Sequence, residues 1–164
     1  MFIIFMIQWI ERQLHTISYK KYLLFSTLVC CFLSFIIGLL YNLIIERVNA
    51  IAESGTSKLD TLSIILLSLL VAPLIETLIF QNILLSFLYK YIPRYSNFIV
   101  ATLFAMEHYS SVKQIIVTFF ICFIFNYSYL LAKSRKWNPF VFTFAIHSGY
   151  NLFVTIIFFS SEIL

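Results

Sequence analysis

The sequence predicts an all-α membrane protein, a bundle of about five transmembrane helices with an N-terminal interfacial helix. Three observations support this fold class. The chain of 164 residues is 62% hydrophobic and only 11% charged, whereas a soluble domain carries about 25% charged residues. Several apolar runs are long enough to cross about 30 Å of hydrocarbon. The polar stretches between them are short, which predicts one membrane-embedded unit without an extramembrane domain.

The boundaries of the predicted elements follow from the charges that interrupt the apolar runs. Residues 1–21 hold an apolar stretch too short to span, followed by Lys20 and Lys21, and are predicted to lie in the membrane interface. Residues 22–46 form the first transmembrane helix, and residues 47–60 form a hydrophilic loop. Residues 61–160 form the helical core, with apolar runs at Thr61–Tyr89, Phe98–Tyr109, Ile115–Ala132 and Phe140–Phe159. Pro73 is the expected kink point of the first of these runs.

The short run Phe98–Tyr109 could either cross the membrane or turn back, and the positive charges decide between these topologies. If it crosses, eight basic residues share one side of the membrane: Arg12, Lys20, Lys21, Lys90, Arg94, Lys133, Arg135 and Lys136. The other side then holds Arg47, Lys58 and Lys113. If the run turns back, the split becomes six against five. The positive-inside rule therefore predicts a multi-pass protein of the cell membrane with five spans and a cytoplasmic N-terminus.

The same distribution of charge argues against nucleic acid as a partner. The net charge is +4, but the basic residues lie at the ends of apolar runs and do not interleave with aromatic residues on a polar surface. The expected partners are the lipid bilayer and a membrane-bound peptide or protein.

Four polar side chains fall inside the apolar runs and are the candidate functional residues. Glu76 is the only charged residue of Thr61–Tyr89. His108, His147 and Asn151 lie in two later runs, and His147 and Asn151 are four residues apart, on one face of a helix. Ionisable groups at membrane depth are costly unless they are partnered, so they normally face the interior of a bundle and mark function. Each of the four alone could instead stabilise helix packing.

Together, these residues have the chemistry of a site that activates water. Glu76 can accept a proton, and a neighbouring His can orient the water or share the proton. The remaining His and the Asn151 amide can donate hydrogen bonds to a developing oxyanion. Alternatively, Glu76, His108 and His147 could bind a zinc ion that lowers the pKa of its water. The cofactor is therefore either none or zinc, and the sequence leaves both open.

The order and spacing of these residues resemble the CPBP family of intramembrane proteases (CAAX proteases and bacteriocin-processing enzymes, also called the Abi family). The family's second motif, F-x-x-x-H, is matched by FAMEH (Phe104–His108), and its third, H-x-x-x-N, by HSGYN (His147–Asn151). Its first motif, E-E-x-x-x-R, is matched in part by ETLIFQ (Glu76–Gln81), which follows the dipeptide AP. The resemblance covers Leu62–Phe159.

The resemblance implies an intramembrane endopeptidase. By that match, Glu76 activates the water with His108, while His147 and Asn151 bind the oxyanion or a metal. Implied substrates are membrane-associated proteins or peptides, in CAAX-like processing or in the maturation of a pheromone or bacteriocin. Glutamate-type and metallo-type catalysis both stay open.

The first motif departs from the family pattern at two positions. Thr77 replaces the second Glu, and Gln81 replaces the Arg. Because the two are four residues apart, we predict that a buried ion pair has been replaced by a neutral, hydrogen-bonded pair that supports the site and leaves Glu76 in place.

Two other classes of function are alternatives to the protease hypothesis. The altered first motif and the small size are compatible with a non-catalytic bacteriocin-immunity or scaffolding protein on the same fold. A transporter or channel is disfavoured because the sequence shows no internal repeat.

Overall fold

The computed structural model describes residues 16–45 and 65–161, and these form five helices. They are α1 (Tyr19–Ile45), α2 (Leu67–Tyr91), α3 (Pro93–Glu107), α4 (Val112–Ser134) and α5 (Pro139–Ser161). Four of them, all except α3, are long and apolar enough to cross a membrane. The predicted all-α membrane bundle is thereby confirmed. Most of the predicted interfacial segment (residues 1–15) and the predicted loop at 47–60 lie outside the described residues.

Helix α4 is the centre of the bundle. Of its apolar window, 44% of the residues are buried, compared with 17–22% in the other three candidate spans. Phe125 of α4 packs in a cluster with α1 and α5 residues such as Cys30 and Ile146. Tyr129 of α4 belongs to a second cluster, formed with residues of α2 and α3. The bundle therefore has two hydrophobic clusters, one on each side of α4.

Helix α2 is wound in two ways along its length. The segments Leu67–Val71 and Thr77–Leu85 are π-helical, and Ala72–Glu76 between them is α-helical. In the first segment the Ala72 N–H donates to the carbonyl of Leu67, five residues earlier. Such wider turns are rare and occur frequently at functional sites. Glu76 lies at the junction between the α-helical segment and the second π segment.

Helix α3 is short but runs antiparallel to α4 over most of the length of α4. Ile92, with φ −137° and ψ 59°, separates it from α2, and its 15 residues extend about 22 Å at 1.5 Å per residue. Asn97 near its start hydrogen-bonds Asn126 of α4, and residues 108–111 join the two helices. The predicted crossing of the membrane by α3 stays a prediction, because α3 is not among the four helices long enough to span.

The basic clusters of the sequence come together at one end of the bundle. The ring of Tyr19 at the start of α1 lies 5.1 Å from that of Trp137, which follows the end of α4. The Arg135 guanidinium lies over the Trp137 ring at 4.1 Å and donates to the Ile17 carbonyl. Lys113 is at the opposite end, where its ammonium lies 5.9 Å from the centroid of the Tyr41 ring. The grouping matches the charge split of the five-span topology, and the cytoplasmic N-terminus stays a prediction.

Helix α5 packs closely on α1 beside the HSGYN motif. A Cβ added at Gly149 would lie 3.3 Å from Cγ2 of Thr27, so the two backbones approach because residue 149 lacks a side chain. The hydroxyl groups of Ser34 and Tyr150 are 2.9 Å apart and join the same two helices. These contacts set the rotation of α5 and direct His147 away from α1.

Candidate active site

Glu76 and His147 are in direct contact across α2 and α5. His147 Nε2 lies 3.5 Å from Glu76 Oε2, and the side chains are 5% and 24% exposed, respectively. The ring of Phe125 packs against the His147 imidazole with a centroid distance of 4.5 Å. The carboxylate thus keeps an open side, while the imidazole is enclosed. Because an ionisable group inside an apolar bundle needs a polar neighbour, His147 is the neighbour that Glu76 requires.

His108 lies at the end of α3 and approaches the same pair. The helix ends because His108 leaves the helical conformation, with φ −98° and ψ 44°. Its Nδ1 lies 2.9 Å from the Phe104 carbonyl oxygen, and its half-buried ring packs on the Phe104 ring at 4.6 Å. The Phe104 ring also contacts the His147 ring, at 6.1 Å. Phe104 therefore lies between the two imidazoles.

The sequence predicted His108 as the first partner of Glu76, but the side chain in contact with the carboxylate is His147. The positions of the two histidines along their helices explain this difference. His108 is at the C-terminal cap of α3, where its Nδ1 is taken by the backbone, whereas His147 lies within α5 and faces α2. His108 is joined to this pair through the Phe104 ring, which contacts both imidazoles.

Asn151 lies one turn beyond His147 and contacts the backbone of α2. Its Nδ2 donates to the Ser68 carbonyl at 2.8 Å. Since an amide nitrogen carries two hydrogens, one donor is engaged by α2 and a second remains. Asn151 therefore joins α5 to the first π segment of α2, one helical turn from His147.

The predicted hydrogen bond between Thr77 and Gln81 is wrong. Both residues are fully buried, but Gln81 Nε2 donates to Asn126 Oδ1 at 3.0 Å. Neither Thr77 Oγ1 nor Gln81 Oε1 has a hydrogen-bond partner. The cause is the π winding of Thr77–Leu85, in which hydrogen bonds run between residues five apart, so residues four apart are no longer aligned.

A network of amide side chains joins α2, α3 and α4, and it was not predicted from the sequence. Asn126 of α4 accepts from Gln81 and donates to Asn97, at 3.2 Å to its carbonyl and 2.9 Å to its Oδ1. Asn126 is fully buried. The signal was present, because Asn126 is the only amide in the run Ile115–Ala132. The network fixes α2, α3 and α4 relative to one another and so positions Glu76.

Removal of the Asn126 amide is expected to destabilise the bundle. Asn126→Ala would leave the fully buried Gln81 Nε2 with only the weak acceptor Cys122 Sγ, at 3.7 Å. It would also remove the donor to the half-buried Asn97. A buried polar group that loses its partner costs about 1–3 kcal/mol. Thermal unfolding in detergent should therefore show a lower melting temperature. Thr102→Ala is the matched control, because the Thr102 hydroxyl bonds only within α3, to Phe98. Equal melting temperatures for the two variants would contradict the role of the network.

The side chains do not fit the three-ligand zinc site that the sequence left open. Among the described residues, no three His, Cys, Asp or Glu side chains lie close enough together to hold a metal ion, whereas a catalytic zinc needs three such protein ligands. This applies to Glu76, His108 and His147, of which only Glu76 and His147 are in contact. The mechanism proposed for the chain therefore uses no metal.

Fold and site together define a class: a multi-pass helical membrane protein with a carboxylate and two imidazoles gathered inside the bundle. A family model described as type II CAAX prenyl endopeptidase Rce1-like matches residues 58–153. The chain belongs to this family, which confirms the resemblance to CPBP and CAAX proteases and the general activity of a membrane-embedded peptide hydrolase. The match includes Glu76, His108, His147 and Asn151. No curated protein and no solved structure matches the chain.

Proposed function

We propose that the chain is an intramembrane endopeptidase that hydrolyses a peptide bond of a membrane-associated protein or peptide with water activated by Glu76 and His108. The observation that supports this most directly is the contact between Glu76 and His147 inside the residues matched by the family model. The proposed processing is of the CAAX type or belongs to the maturation of a pheromone or bacteriocin.

In the proposed first step, Glu76 takes a proton from water while the water oxygen attacks the scissile carbonyl carbon. The C–O bond forms, and the carbonyl electron pair moves to oxygen. His108 is suited to orient this water, because donation from Nδ1–H to the Phe104 carbonyl would leave Nε2 as an acceptor. In the second step the C–N bond breaks, and the leaving amine receives the proton held by Glu76.

The oxyanion is proposed to bind His147 and Asn151. The distance of 3.5 Å between His147 Nε2 and Glu76 Oε2 is longer than an ordinary N–H···O hydrogen bond. The Nε2–H is therefore available to an oxyanion that forms beside the carboxylate. The second N–H of Asn151 is the other candidate donor. Such preorganised donors commonly contribute a large part of the rate acceleration.

The proposal is tested by comparing peptide termini in membranes and medium of cells that carry wild-type or Glu76→Gln protein at matched levels. New termini that are present only with wild type would identify the protease activity and its substrate. Lys133→Gln is the matched control, because Lys133 is exposed in the last turn of α4. Identical termini in all strains, with a phenotype that survives Glu76→Gln, would instead favour the non-catalytic immunity or scaffolding function.

Phe104→Leu is expected to lower turnover about 10-fold to 100-fold, because the Phe104 ring holds both imidazoles and small displacements of catalytic groups are costly. Leu keeps most of the apolar volume, so the protein should remain folded. Phe98→Leu is the matched control, since the Phe98 ring contacts that of Phe119 at 5.7 Å, outside the site. Turnover should be measured with both variants at equal concentrations of folded protein. Similar rates for the two variants would show that Phe104 does not position the site.

A further inference from the structure

Pro73 interrupts the backbone hydrogen bonding of α2 at a defined carbonyl. In the π segment the Ala72 N–H donates to the Leu67 carbonyl, so the next bond in this register would run from residue 73 to Ser68. Residue 73 is proline and has no N–H. The Ser68 carbonyl therefore has no donor from residue 73.

The free carbonyl of Ser68 is the group that Asn151 contacts. Asn151 Nδ2 lies 2.8 Å from it, which is a short and well-formed hydrogen bond. In an α-helical register Pro73 would instead have left the carbonyl of Leu69 without its donor. The π winding and the proline thus act together to place a free acceptor opposite Asn151. An unpaired carbonyl would be costly inside a membrane, so the Asn151 amide is a necessary partner.

We propose that Pro73 is a positioning residue: by leaving the Ser68 carbonyl free, it fixes the amide plane of Asn151. One N–H of the amide is bound by Ser68, and the planar geometry then fixes the direction of the other, which faces the substrate oxyanion. This inference rests on the proposed function for the role of Asn151 in catalysis. Pro73, three residues before Glu76, would thus orient a catalytic side chain in addition to bending the helix.

A double-substitution cycle of Pro73 and Asn151 tests the hydrogen bond independently of any proteolysis. Pro73→Ala restores an N–H that can donate to Ser68. In the wild-type background, Asn151→Ala should lower the melting temperature by about 3 °C, as expected for loss of one hydrogen bond. In the Pro73→Ala background, Asn151→Ala should lower the melting temperature by less than half of that amount. An equal loss in both backgrounds would overturn the proposal.

The activity of the same variants tests the consequence for catalysis. Pro73→Ala should lower kcat about tenfold with little change in KM, because the amide is misdirected while substrate binding is retained. Pro93→Ala is the matched control: Pro93 is the first residue of α3, where an N–H has no partner within the helix. An unchanged kcat in Pro73→Ala would overturn the positioning role.

Two further outcomes are distinguishable. If wild type cleaves no peptide, the proposed function fails, and the melting cycle still decides whether Pro73 and Asn151 are coupled. Because Pro73 is fully buried, its replacement by Ala also leaves a space. Pro73→Val supplies the same N–H with a larger side chain, and it should reproduce both the lower kcat and the reduced cost of Asn151→Ala. A Val variant with wild-type kcat would contradict the proposal.

Discussion

Glu76→Gln is expected to lower the rate of peptide hydrolysis about 10³-fold to 10⁴-fold while the protein remains folded. Gln has nearly the same shape as Glu but cannot take a proton from water, and general-base catalysis contributes about 10²-fold to 10⁴-fold. The charge removed is the only one in the centre of α2. Folding should not suffer, because a neutral amide costs less to hold in an apolar bundle than a carboxylate does.

The measurement is the single-turnover rate of the purified protein in lipid nanodiscs, with a substrate found through its new termini. The melting temperature of Glu76→Gln should equal or exceed that of wild type. Lys133→Gln removes an exposed charge from the last turn of α4 and should keep its rate within about threefold of wild type, because Lys133 does not position a reacting group. A Glu76→Gln protein with wild-type turnover would exclude Glu76 as the base.

Gln81→Arg, which restores the family's residue at this position, is expected to destabilise the protein by about 3–5 kcal/mol. Gln81 of α2 is fully buried against Asn126 of α4. The second Glu of the family pattern is replaced by Thr77, and the first, Glu76, contacts His147. An unpaired guanidinium would therefore be buried, and an uncompensated buried charge carries a penalty of this size. We expect little folded protein after extraction into mild detergent, and a strongly lowered melting temperature in the remainder.

The double variant Thr77→Glu with Gln81→Arg should recover part of the lost stability. The π winding offsets the two positions, so the new carboxylate is reached only because the Arg side chain is long and presents a wide fork of donors. Gln114→Arg is the matched control for the added charge: Gln114 is exposed near the start of α4, so its replacement should change the melting temperature little. If Gln81→Arg alone were as stable as wild type, the position would have access to water or lipid headgroups. The double variant would contradict the pairing argument if it were no more stable than the single one.

The all-α bundle could be predicted from the sequence because apolarity is a local property. A long apolar run with charged ends has few alternatives to a spanning helix, so the predicted first helix at 22–46 and the observed Tyr19–Ile45 differ by only a few residues. The π winding of α2 was not predicted. It depends on how Pro73 and the packing of neighbouring helices redistribute backbone hydrogen bonds, and apolar periodicity carries no such information.

The sequence by itself determined which residues could act: Glu76, His108, His147 and Asn151 are polar groups in an apolar background, and their cost at membrane depth singles them out. Only the tertiary structure decided the partners. His147 contacts Glu76, Gln81 bonds Asn126 instead of Thr77, and Asn151 holds the Ser68 carbonyl. The reason is physical. The cost of burying a polar group depends on residue type and depth, whereas its partner depends on helix rotation and register, which many distributed contacts set together.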